Sequence, residues 1–133
     1  MDTLDILPKD LDEALDMLEQ FFGKETMEKI ASMDEDEFRK GAHFGHAAFI
    51  RNAWQLWWYE GHQRHTGWSK TKPLLNKWFE DIGITHADDM SSIIITCLHR
   101  KARRMDYDLV KQVKKYQDHW KKNGYTDGIP RHE

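Results

Sequence analysis

The sequence predicts an all-α fold, a compact single-domain bundle of about five to six helices around a central Trp-rich helix. Three observations carry this. Apolar residues recur at three- and four-residue spacing along most of the chain. Pro8, Pro73 and Pro130, the only prolines, each sit where one such run gives way to the next. Asp10 with Glu13, and Asp34 with Glu37, stand three residues apart just before two of the runs. That arrangement offers a carboxylate to the free amides of a helix's first turn.

The first helix begins near Asp10 and places Leu11, Ala14, Leu15, Leu18, Phe21 and Phe22 inward. Gly23 ends it as a left-handed cap residue, and a short helix comes next over about Glu25–Ser32 with Met27 and Ile30 inward. The third helix runs from about Glu35 to Tyr59, its first turn acidic against the positive end of the helix dipole. Gly41 and Gly45 each weaken it by about 1 kcal/mol relative to alanine, so a kink or a close neighbour belongs there. Gly61–Thr71 has no period and reads as a basic, exposed loop. A helix restarts at Lys72–Pro73 and ends at Gly83, burying Leu74, Leu75, Trp78 and Phe79. Thr85 with Asp88 marks the start of another helix, which carries Met90, Ile93, Ile94, Cys97, Leu98 and Met105 on one side. Leu109, Val113, Tyr116 and Trp120 form a narrow stripe on a lysine-rich last helix, and residues 123–133 read as an irregular tail.

At 133 residues the chain can bury a sufficient core without disulfides, and its single cysteine, Cys97, cannot form an internal one. Cys97 lies among isoleucines and reads as an inert core thiol. No apolar run approaches the length of about 20 residues needed to span a bilayer, and the first residues lack the basic start and apolar core of a signal peptide. The expectation is a cytoplasmic protein with no membrane association and no cofactor. The net charge of −3 hides a segregation: residues 1–40 carry thirteen acidic and five basic side chains, and the rest carry ten acidic and fifteen basic.

Residues 43–59 hold three of the six tryptophans together with His43, His46, Arg51 and Asn52. On a helical wheel His43, His46, Ala47, Ile50, Trp54 and Trp57 share a face. Polar groups trapped there must be paired or they cost several kcal/mol. A buried Arg51 needs a carboxylate or several carbonyls, and Asp88 or Asp89, at a helix start, is the expected partner. His43, Arg51, Asn52, His86, Asp88 and Asp89 are therefore the candidate polar clamp or anion site, with the structural clamp preferred. The spacing of His43 and His46, completed by His86, Asp88 or Asp89, would suit a metal, but the pattern is no established metal motif and no metal is expected. No catalytic or nucleotide-binding motif is present.

The strings Pro8-Lys9-Asp10-Leu11, His43-Phe44-Gly45, Ile50-Arg51-Asn52 with Trp54 and Leu56-Trp57, and Gly83-Ile84 with His86 and Asp88 to Ile94 resemble a small bacterial family. That family is an uncharacterised domain with the pattern PKDL…HFGLGxWIRNxWGLW…GIxHPDDMSSII. The resemblance covers roughly residues 7–100. Gln55 stands where the pattern has glycine, and Ala87 where it has proline. The resemblance implies a fold and no catalytic residues.

Charge segregation without a catalytic motif leads to a non-enzymatic protein-binding domain, of the immunity type that masks a toxin. Its expected contacts are the acidic run Asp34, Glu35, Asp36 and Glu37, and the loop residues Arg64 and Trp68, since an exposed aromatic beside arginine typifies binding hot spots. Two alternatives stand beside it. One is a small enzyme with a pocket of His43, Arg51, His86 and Asp88. The other is nucleic-acid binding through Arg100–Lys122, which carries nine basic residues against three acidic ones.

Overall fold

The computed structural model describes residues 6–58 and 68–130, and among these it contains six helices and no strand. Helix α1 spans Leu11–Ser32, with the Asp10 side chain accepting from the Glu13 amide at 2.9 Å. Gly23 interrupts it at φ 79°, ψ 167°, so two helical runs meet at a kink where the sequence places the break. The first run buries Leu11, Ala14, Leu15, Met17 and Leu18, and the second buries Ile30. Phe21 points outward, 44 % exposed, where the sequence has it inward.

The single helix expected over Glu35–Tyr59 is two helices, α2 (Glu35–His43) and α3 (His46–Ala53), and Tyr59 lies outside the described residues. Gly45, at φ −108°, ψ −102°, leaves the helical region and turns the chain between them. That break dissolves the one-face wheel of residues 43–57. His46 is exposed, while Ile50 and Trp54 are buried.

Helix α3 ends in a Schellman turn. The Leu56 amide reaches the Arg51 carbonyl at 2.9 Å, the Gln55 amide reaches that of Asn52 at 3.3 Å, and Gln55 adopts φ 59°. Glycine is the usual occupant of such a left-handed position, so the glycine of the resembled pattern has a backbone reason. Here the Gln55 side chain accepts from the Ser69 amide at 3.0 Å, a partial return for the strain.

Helix α4 (Leu74–Asp81) buries Leu75, Asn76 and Phe79. Leu74 is 54 % exposed, contrary to the sequence reading, because Leu75, Asn76 and Phe79 set the buried face and Leu74 lies about 150° round the helix from its centre at 100° per residue. Gly83, at φ 90°, closes this helix as expected. Helix α5 (Ala87–Ala102) is capped by His86, which displaces the expected Thr85; the Thr85 hydroxyl instead donates to the Pro130 carbonyl at 3.0 Å.

The bundle is all-α, as its sequence predicts, and the helix at its centre is α5. Eleven of its sixteen residues are buried, and α1, α2 and α3 all pack on it. A helix apolar on all sides belongs in an interior, and Ile93, Ile94 and Ile95 face three directions with none exposed. The Trp-rich segment adds Ile50, Trp54 and Leu56 to the same core, but also carries the exposed Phe49 and Asn52. Arg103 Nε and Nη2 donate to the Ala31 and Met33 carbonyls at 2.7 and 2.6 Å, capping the end of α1 from the end of α5. Cys97 is fully enclosed, and burial pushes its thiol up to about 11.

Helix α6 (Leu109–Lys122) buries Gln112 and Val113, with Tyr116 and Trp120 half-buried. Gln112 donates to the Tyr107 carbonyl at 2.7 Å, and Gln117 to that of Gly83 at 3.3 Å. Met105, placed inward by the sequence, lies past the end of α5 and is 49 % exposed.

Ala87 is the first residue of α5, where proline's fixed φ and missing amide suit the helix. His86 before it is extended (φ −91°, ψ 132°), as a residue preceding proline must be. Ala87→Pro is therefore expected to raise stability by about 0.5–1 kcal/mol, read as a higher Tm. A lower Tm would show that the ring does not fit.

Candidate functional site

The break after α2 leaves the His43 carbonyl without a helical amide. Arg51, 7 % exposed in the last turn of α3, fills that vacancy through Nη2 at 2.9 Å. Its Nη1 donates to the Ser91 hydroxyl at 2.9 Å, and its Nε lies 3.5 Å from Asp88 Oδ1. The Ser91 hydroxyl in turn donates to the Asp88 carbonyl at 3.0 Å. One guanidinium thus joins the end of α2 to the start of α5, with a cation at one helix C-terminus and a carboxylate at another's N-terminus.

Asp89 turns the other way. It is 8 % exposed and accepts from Trp120 Nε1 at 2.7 Å. Burial pushes its carboxyl above the usual 3.8, against the opposing effect of the Trp120 hydrogen bond. The native state therefore holds this proton more tightly than the unfolded chain. The stability it contributes is present below 3.8 and is lost as pH rises through the raised value. Asp89→Asn keeps an acceptor and cannot ionise. The variant is expected to gain on the wild type between about pH 3 and about pH 7, measured by urea unfolding at both; an unchanged difference would count against a raised carboxyl.

His86 Nδ1 accepts from the Asp88 amide at 3.1 Å, which assigns its proton to Nε2. Its ring lies 5.3 Å from both Trp57 and Trp120, edge-on to the first. The structure therefore gathers Arg51 and Asp88 with the main chain of His43, with His86 capping the same helix start, while Asp89 faces Trp120. Asn52 stands apart, exposed on the other side of α3, and leaves the clamp. His43 and His46 are split by the turn, and among the described residues no three His, Cys, Asp or Glu side chains are grouped to hold a metal ion.

The acidic run is largely committed inside the chain. Asp34 caps α2, Glu35 pairs with Arg100 at 3.0 Å and Asp36 with Arg39 at 3.0 Å, while Glu37 is exposed. Trp68 is half-buried rather than exposed, and Arg64 lies outside the described residues.

Three phenylalanines are exposed that the sequence did not single out as a surface. Phe44 at the α2–α3 turn is 88 % exposed, and Phe49 and Phe21 about half. The Phe21 and Phe22 rings lie 5.4 Å apart, and Phe22 sits 4.9 Å from His46. Gly45 was the available signal, because a turn there puts Phe44 outside.

Six helices among the described residues, an arginine bonded between three of them, and apolar rings left outside define a small helical domain. Residues 7–102, from the segment before α1 to the end of α5, match the family described as a domain of unknown function (DUF6794), and the chain belongs to that family. Helix α6 lies beyond the matched stretch. No curated protein and no solved structure matches the chain. Among the described residues no helix is long and apolar enough to cross a membrane.

Proposed function

We propose that this chain is a non-enzymatic protein-binding domain, an immunity- or inhibitor-type protein that masks a toxin or other partner in a bacterial cytoplasm. The supporting observation is the exposure of Phe21, Phe44 and Phe49, three large apolar rings that the fold leaves in water. Exposed aromatic side chains are enriched where partners bind. Arg51, the group an enzyme would aim at a substrate, instead commits its donors to Ser91, Asp88 and the His43 carbonyl.

The test is co-expression with the products of the adjacent genes, using the wild type and Phe44→Ser/Phe49→Ser. One neighbour should be retained by the wild type and lost by the variant, whose Tm stays close because both rings already face water. Retention of no neighbour, or equal retention by both, would overturn the reading.

A second reading has its own observation. Lys111, Lys114, Lys115, Lys121 and Lys122 are all exposed. At 100° per residue they fall within an arc of about 120° on α6, opposite Val113 and Trp120. Asp118 lies among them and is bound to Lys114 at 2.7 Å. Such a stripe fits a phosphate backbone, and duplex binding would then fall steeply with salt. No binding at low salt would end this reading.

A further inference from the structure

Helix α6 is held to the bundle differently from α1. The first run of α1 buries Leu11, Ala14, Leu15, Met17 and Leu18, all apolar. Helix α6 buries only Gln112 and Val113, and leaves Leu109, Tyr116 and Trp120 half-buried. Its grip on α5 is polar and comes once per turn. Gln112 Nε2 meets Cys97 Sγ at 3.5 Å, the Tyr116 hydroxyl is hydrogen-bonded to the Ser92 side chain, and Trp120 Nε1 donates to Asp89 at 2.7 Å. Four-residue spacing puts Gln112, Tyr116 and Trp120 on one face of α6. Their partners run backward along α5, so the two helices lie antiparallel along one seam.

The closed position is a fitted one. Gly83 and Gly128 lie against Gln117, and a Cβ on either would collide with it. The other end of α6 has a hinge. Arg100 Nη1 holds the connector to α5 at the Tyr107 carbonyl, 2.6 Å away. The next residue, Asp108, is left-handed at φ 48° and stands at the N-cap of α6 without a side-chain bond to it. Segments with few buried apolar contacts open before the rest of a domain, and polar contact surfaces within a chain favour relative motion.

We propose that α6 is a hinged strap that swings off α5 as a unit about Tyr107–Asp108, uncovering a polar strip of Asp89, Ser92 and Cys97 while α1 to α5 stay folded. When closed, Gln112, Tyr116 and Trp120 occupy that strip, so α6 controls access to it. The strip lies within the stretch matched to the family, residues 7–102, and its cover lies beyond that stretch.

Cys97 reports the open state. It is fully enclosed, and burial pushes its thiol up to about 11, so an alkylating reagent reaches its thiolate only through an opening. The test treats the intact protein with iodoacetamide in native buffer and follows amide hydrogen exchange by NMR. Cys97 modification is expected to change little in low urea, and the Val113 and Tyr116 amides should exchange through the same opening. The Leu15 and Ile94 amides should exchange only by global unfolding, with a steep urea dependence. Trp120→Phe keeps a ring beside His86 but loses the bond to Asp89, and should speed Cys97 modification about tenfold. Arg51→Ala weakens a joint that the swing leaves intact. It should speed Leu15 and Ile94 exchange and leave Cys97 modification within about twofold of the wild type. Cys97 modification that follows urea as steeply as the core amides do, that Trp120→Phe leaves unchanged, or that proceeds while Val113 stays protected would each overturn the strap.

Discussion

Arg51→Ala is expected to lower the unfolding free energy by about 3 kcal/mol, measured by urea denaturation. The change strands the Ser91 hydroxyl and the His43 carbonyl around a guanidinium-sized void, at a joint between three helices. Lysine should rescue little, because one ammonium cannot reach acceptors on three sides. Asp88→Asn tests which bond matters. The Asp88 side chain is 43 % exposed and sits 3.5 Å from Nε, so water shares that charge and the loss should stay below about 1 kcal/mol. A loss for Asp88→Asn as large as that for Arg51→Ala would show that the carboxylate, rather than the hydroxyl and carbonyl, anchors the joint.

Trp54→Ala should cost about 3–5 kcal/mol. Trp54 is 1 % exposed and among the largest fully buried side chains. Among the described residues its buried Nε1 has no hydrogen-bond partner, so within them the residue holds the fold by size rather than by polarity. Trp54→Phe removes that unsatisfied donor along with part of the ring, and should stay within about 1.5 kcal/mol of the wild type. If phenylalanine proved as harmful as alanine, the indole's shape rather than its bulk would be the requirement.

The pairing of Arg51 with Asp88 was legible because a buried guanidinium has few carboxylates to choose from, and a carboxylate at a helix start lies at a junction. Asp10, Gly23, Asp34 and Gly83 announced their caps and breaks by residue type. Gln55 and Arg104 did not. Both sit left-handed at the ends of α3 and α5, at φ 59° and 58°, making the turns that glycine makes elsewhere. Their side chains favour other conformations, and only the surrounding packing holds them there. The central place of α5 was hidden for a related reason: a tryptophan weighs heavily in sequence, while three consecutive isoleucines resemble a strand until the neighbours on every side are seen.

The connector between α5 and α6 is exposed at Arg103–Asp106, and it holds two left-handed non-glycine residues, Arg104 and Asp108. Across it, α6 and the turn beyond are fastened by Trp120 to Asp89, by Gln117 to Gly83 and by Pro130 to Thr85. A trypsin nick after Arg104 would therefore yield two pieces that remain joined noncovalently. Expressed separately and mixed, the same pieces would reconstitute the domain as complementing fragments, with a melting point that depends on concentration.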